Sequence, residues 1–194
     1  MNGQGQGMIF VFTGPDGSGR KTIADMVGST LGMTKVLSYT TRKPRAGEAP
    51  GQDYYFISEE EFAQAEARGE FVEAVEINGV RYGIKEAEID ELFQKKKFIY
   101  LILNAQGAKI LKDKYGDLVT RIFIYIDKEL VVERQRKAGA SEELIQQHLA
   151  HYDEDMSYKD ECKYSFENLD LAHTVFAVSN IIDAYMNRGL IEKD

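Results

Sequence analysis

Ile9-Phe10-Val11-Phe12-Thr13-Gly14-Pro15-Asp16-Gly17-Ser18-Gly19-Arg20-Lys21-Thr22 decides the fold. An apolar run passes straight into a glycine-rich turn. From Thr22 apolar residues return at helical spacing (Ile23, Met26, Val27, Leu31) until Gly32 stops them. The order is strand, phosphate loop, helix. Glycines let successive backbone N–H groups curl around one anion, and the helix N-terminus adds its dipole. In the pattern G-x-x-x-x-G-K-[ST], Gly14 and Gly19 fit, Arg20 stands in the lysine place and Lys21 in the hydroxyl place. Two registers follow: Arg20 as the phosphate cation, or Lys21 doing that work from one position along.

Downstream, Lys35 to Thr40 has the β-branched and aromatic content of a strand, and Arg42 to Gly51 is a loop by its prolines and glycines. Tyr54 to Ile57 is a second short strand. Ser58 with Glu61 forms a capping box that opens a helix to about Arg68, stopped by Gly69. Phe71 to Ile77 alternates apolar with polar, Asn78-Gly79 signals a hairpin, and Val80 to Ile84 returns. Residues 35–85 therefore form a small β-rich lobe with one helix, inserted into a βα scaffold. After a helix over Lys85 to Lys96, the apolar runs Phe98 to Leu103 and Thr120 to Ile126 are strands buried on both faces, separated by a helix over Ala105 to Lys114. Buried strands alternating with helices predict a parallel sheet covered on both sides. Residues 128–160 form a charged helical arm, broken near Ala138-Gly139-Ala140 and restarted at Ser141. Tyr164 to Glu167 is a short last strand before a C-terminal helix.

The totals bound the function. The chain has 194 residues, is 43% hydrophobic and 29% charged, and carries a net charge of −8. That size suits one domain with a sizeable core. The acidic balance speaks against nucleic-acid binding, although Arg42-Lys43-Pro44-Arg45 can hold a small phosphate. No apolar run approaches the ~20 residues of a membrane span. The polar start, Met1 to Gly7, lacks the pattern of a secretory signal, which predicts a cytoplasmic protein; separately, a monomer or homodimer is expected. Cys162 is the single cysteine and reads as a structural thiol. His151 and His173 have no metal-ligand pattern, and His148 reads as a surface residue rather than a general acid.

Together with the phosphate loop, the run Ser38-Tyr39-Thr40-Thr41-Arg42-Lys43-Pro44-Arg45-Ala46-Gly47-Glu48 and then Asp53-Tyr54 resembles guanylate kinase, over about residues 8–187. The resemblance implies an α/β fold: a P-loop three-layer core with a parallel sheet (8–34, 86–127 and 161–194), a mixed α/β GMP-binding lobe (35–85) and a helical lid (128–160). It implies transfer of the γ-phosphoryl of ATP to GMP, with Mg²⁺ accompanying ATP. Arg42 and Arg45 match the arginines that hold the GMP phosphate, with hydroxyls from Tyr54 and Tyr82. Guanidinium forks suit phosphate oxygens, and phenols add neutral donors. Glu73 matches the acid that accepts from the guanine N1–H and amine, and Ser38 a hydroxyl touching the base. Gly14, Pro15, Asp16, Gly17, Ser18, Gly19, Arg20, Lys21 and Thr22 match the ATP loop, and Asn168 an asparagine near the adenine. Arg20, Lys21 and the arm residues Arg134 and Arg136 take the catalytic places.

The match also exposes departures. Ile84 stands where Ser or Thr is usual, and Ile102 and Asn104 replace two aspartates. Ala138 and His148 replace lid arginines, and Lys21 replaces the hydroxyl that would ligate Mg²⁺, where an ammonium repels the ion. Three readings follow: an ATP:GMP phosphotransferase; a binding module for GMP, a regulatory guanine nucleotide or a phosphorylated partner; or a kinase for another monophosphate.

Overall fold

The chain is described by a computed structural model over residues 7–191, so Met1 to Gln6 of the polar start, and the last three residues, lie outside the described part. Strand β1 (Met8–Thr13) lies at the centre of a five-stranded sheet of order β2-β7-β1-β8-β9, the others being β2 (Thr34–Lys35), β7 (Phe98–Ile102), β8 (Val119–Tyr125) and β9 (Tyr164–Glu167). Every pairing in it is parallel. The two-residue period of β1 sends Ile9 and Val11 to one face and Phe10 and Phe12 to the other, all fully buried. Ile9 and Val11 pack with Ile89 of α3 (Glu86–Lys95) and with Ala108 and Leu111 of α4 (Ala105–Tyr115). Phe10 and Phe12 pack with Ile23 and Val27 of α1 (Arg20–Thr30) and with Val178 and Ile182 of α8 (Leu171–Ile191). This is the expected three-layer core.

A second sheet, β4-β3-β6-β5, combines β3 (Tyr39–Thr40), β4 (Tyr55–Phe56), β5 (Phe71–Ile77) and β6 (Val80–Lys85). Its β3/β6 and β5/β6 pairs are antiparallel and its β3/β4 pair is parallel. Asn78 and Gly79 both take positive φ, 52° and 74°, which closes the β5–β6 hairpin. The expected strand over Lys35 to Thr40 is two strands instead, β2 in the core sheet and β3 in the second sheet. The chain crosses between sheets through Val36 to Ser38, a switch that a β-prone composition does not reveal. Helix α1 also starts two residues earlier than expected, at Arg20.

Helix α2 (Glu59–Ala67) opens with the predicted capping box: the Glu61 N–H donates to Ser58 Oγ at 3.1 Å and the Ser58 N–H donates to Glu61 Oε2 at 2.8 Å. Loss of such a cap typically costs ~1 kcal/mol. Ser58→Ala is therefore expected to lower the urea midpoint by about that stability, with the m-value unchanged. The arm comprises α5 (Lys128–Lys137), α6 (Glu142–Leu149) and α7 (Tyr152–Ser157), with its own small core of Val131 and Tyr152 against Ile126.

Candidate functional site

The carboxyl ends of β1 and β7 face the second sheet across a cleft of about 410 Å³. Ligands in open parallel sheets bind at that end of the strands. One wall carries Asp16, Gly17, Gly19, Arg20 and Lys21, and the opposite wall Ser38, Arg42, Arg45, Tyr54, Glu73 and Tyr82; Ile102, Asn104 and His148 also border it. Five cationic side chains (Arg20, Lys21, Lys35, Arg42, Arg45) line it against the carboxyls of Asp16, Glu48, Asp53 and Glu73. Such a cleft in an acidic protein suits an anionic ligand.

The loop wall is shaped by backbone conformation. Gly14 has φ 134° and lies against the Ile124 carbonyl, with which a Cβ would collide. Arg20 donates to the Gly14 carbonyl and, at 2.8 Å, to Asp16 Oδ1. Lys21 goes elsewhere, to Asp25 Oδ2 at 3.1 Å and Asp53 Oδ1 at 3.0 Å. The two cations therefore have different partners in the protein. Burial works against the Lys21 charge, but Asp53 and Asp25 outweigh it and hold the ammonium pKa above its ordinary value. Asp25 also accepts from Lys35 at 3.0 Å and from the Tyr100 hydroxyl at 3.1 Å.

On the opposite wall, Arg42 makes a fork to Glu48 at 2.6 and 2.7 Å and lies over the Tyr54 ring, 5.1 Å from its centroid. Glu48 also accepts from the Arg45 N–H at 2.8 Å, so one carboxylate ties both arginine positions together. Glu48, and then Tyr82, raise the Arg42 pKa well above its ordinary value. Arg42 Nε is buried with no partner in the protein. A buried guanidinium donor without a protein partner is open to an acceptor from water or a ligand. The Tyr54 phenol is pushed up in pKa by burial and stays a neutral donor.

Glu73 is 3% exposed. Burial pushes its carboxyl up to about 8, against one backbone hydrogen bond from Ile84. Ile84 is itself fully buried opposite Glu73 in the β5–β6 ladder, so no hydroxyl arises from that position. A Cβ on Gly107 would lie 2.5 Å from Glu73 Oε1, so the glycine gives the acid its room at the head of α4. Asn104 caps that helix, accepting the Gly107 N–H at 2.9 Å.

Some sequence-selected residues lie outside the cleft wall. Asn168 is buried behind the loop, donating to the Ser18 carbonyl at 2.8 Å, and Thr22 is exposed on α1. Arg134 donates to the Asn168 and Leu169 carbonyls at 2.8 and 3.0 Å, tying the arm to the β9–α8 turn. Arg136 is exposed and paired with Glu142 at 2.8 Å. Neither arm arginine borders the cleft: the β9–α8 turn carbonyls hold Arg134, and Glu142 holds Arg136. His148, expected on the surface, borders the cleft beside Gln135 at 2.9 Å. Burial lowers its pKa below the usual histidine value, Arg45 and Arg20 add to that, and Asp16 opposes it. Sequence reasoning gave no role to Glu48, Asp53 or Lys35. Glu48 lay inside the arginine-rich run, three residues after Arg45, the one available signal.

The sequence model of the guanylate kinase family matches residues 6–185. The chain belongs to the guanylate kinase family. A guanylate kinase of Fusobacterium nucleatum subsp. nucleatum is 33% identical over 159 residues, covering 81% of this chain and 85% of that protein. One from Symbiobacterium thermophilum is 33% identical over 181 residues, covering 92% and 86%. The crystal structure of guanylate kinase from Anaplasma phagocytophilum superposes with a TM-score of 0.76 at 27% identity, over 93% of this chain and 87% of that one. The three-layer core, second sheet and helical arm are thus a family architecture. Among the described residues no helix is long and apolar enough to cross a membrane.

The family implies a divalent cation beside the nucleotide phosphates, and this loop does not fit one. The place of the hydroxyl ligand carries an ammonium group, and the two carboxylates nearest it, Asp25 and Asp53, are already neutralised by Lys21 and Lys35. Ile102 at the end of β7 offers no donor, and the oxygen of Asn104, the cap of α4, is engaged by Gly107.

Proposed function

We propose that the protein transfers the γ-phosphoryl group of ATP to GMP, giving ADP and GDP. The observation that supports it most is Glu73 and Arg42 on one wall of the cleft facing the phosphate loop on the other. A carboxylate offers two acceptors to the N1–H and amine of guanine, a donor pair that adenine's edge lacks. Arg42 and Arg45 then meet the GMP phosphate, with Tyr54 and Tyr82 adding donors and Ser38 beside the base. The 14–22 loop takes the ATP phosphates, with Asn168 fixing the loop from behind. A GMP phosphate oxygen attacks the γ-phosphorus as the bond to the bridging oxygen of ADP breaks. The chemistry needs alignment and charge neutralisation rather than a protein base. Arg20 and Lys21 supply fixed positive charge at the loop. Arg134 positions the arm, and Arg136 braces α5 against α6.

Turnover with ATP and, in turn, GMP, AMP and UMP tests this reading. GMP is expected to be the preferred acceptor. Faster turnover of AMP or UMP would refute the acceptor assignment. A second reading, a binding module without catalysis, is favoured by the engagement of Arg20 with Gly14 and Asp16. It predicts GMP binding with no turnover of any acceptor.

A further inference from the structure

We infer that Lys21 is a built-in replacement for the divalent cation: its ammonium group, with Arg20, neutralises the phosphates of the bound triphosphate, so that triphosphate binding needs no metal ion. The inference rests on the reading that the 14–22 loop holds ATP. Lys21 occupies the position from which a phosphate loop ordinarily supplies a hydroxyl to the metal. In this structure that position delivers a cation directly to the cleft wall.

The surroundings are built to hold that cation. Lys21 Nζ sits 3.0 Å from Asp53 and 3.1 Å from Asp25, one carboxylate from the second wall and one from its own helix. Asp25 is fixed in turn by Lys35 and the Tyr100 hydroxyl. Tyr100 reaches it because Gly28 on α1 leaves space where a Cβ would meet the phenol ring. Two carboxylates and two ammonium groups therefore balance, and the set has no negative charge left for a divalent ion.

Arg20 and Lys21 put two formal positive charges on adjacent residues at the head of α1, held by Asp16 and by Asp25 and Asp53, and phosphate oxygens must replace those carboxylates to reach them. Lys21 is half exposed, with a side-chain accessibility of 49%, so it can exchange a carboxylate for a phosphate oxygen without unfolding the helix. A lysine is a mobile point charge with three donors, suited to that exchange.

The test is calorimetric binding of a non-hydrolysable β,γ-imido ATP analogue to the full chain. Titrations are made with Mg²⁺ or with EDTA at matched ionic strength, for wild type and Lys21→Ser. GMP binding, measured in parallel, reports that each protein is folded. Wild-type affinity is expected to change by less than about fivefold on chelation, and that of Lys21→Ser to fall by about fivefold or more in EDTA. A wild type that loses about fivefold or more in EDTA overturns the inference, as does a Lys21→Ser variant that is equally indifferent to the metal. Absence of analogue binding in either buffer removes the reading of the loop as an ATP site and the inference with it; chelator-sensitive binding removes only the inference. Should Lys21→Ser not bind GMP, Lys21→Thr takes its place in the same comparison.

Discussion

Glu73→Gln is expected to weaken GMP binding by about tenfold to a hundredfold at pH 8, the ~1.5–3 kcal/mol of a hydrogen bond to a charged group. It is also expected to remove a pH dependence that the wild type carries. Burial holds the free Glu73 carboxyl up at about 8, so it is largely protonated at neutral pH. Accepting two guanine N–H donors requires the carboxylate, so GMP binding expels a proton. Below about pH 8 wild-type affinity should therefore climb toward tenfold per pH unit, relative to Glu73→Gln, as the competent form becomes more populated. Calorimetry at pH 7 in buffers of different ionisation enthalpy reads this directly: about one more proton released by wild type than by the variant.

The same shift fixes a stability trend. The folded-state pKa lies above the ordinary value of 4.5, so the contribution of protonated Glu73 is complete below about that pH and is lost as pH rises through about 8. Without ligand, Glu73→Gln should gain on wild type in urea midpoint between pH 6 and pH 8.5. Equal midpoint differences at both pH values would count against a protonated Glu73.

Arg42→Ala is expected to carry the second large effect. Truncating one member of a hydrogen-bonded charge pair with the ligand costs about 2–5 kcal/mol, so GMP affinity should fall by about thirtyfold or more. Binding of guanosine, which has no phosphate, should be nearly unchanged if the variant is folded. Arg42→Lys should recover only a small part, because an ammonium cannot keep both the fork to Glu48 and the Nε donor. Equal losses for GMP and guanosine would show that Arg42 supports the lobe rather than the phosphate.

Much of the core could be read from local pattern. The apolar run Ile9 to Phe12, the capping box at Ser58 and Glu61, and the Asn78-Gly79 turn are local signals, and each states its own structure. The crossing from β2 to β3 was hidden because both strands share one β-prone stretch, and only the separate partners, β7 and β6, divide it. At the candidate site the residues carried by short motifs, Arg42 and Gly14 to Lys21, stood out. Those that act through long-range pairing did not. Asp53 is known by its contact with Lys21 across the cleft, and His148 by the fold of the arm that brings it beside Gln135. Arg134 and Arg136 follow from the family resemblance, but Arg134 is taken by the distant carbonyls of Asn168 and Leu169 and Arg136 by Glu142. The meaning of Lys21 also depended on geometry, since only its distances to Asp25 and Asp53 separate its role from that of Arg20.

In the proposed reaction one cleft brings a guanine nucleotide and a phosphoryl donor face to face. The most direct measurement is transfer of label from γ-phosphoryl-labelled ATP to GMP by the purified chain, beside an Arg42→Ala/Arg45→Ala double variant that remains folded. Labelled GDP should accumulate with wild type and fall by about a hundredfold or more in the double variant. Wild type that forms no more labelled GDP than the double variant would contradict the account.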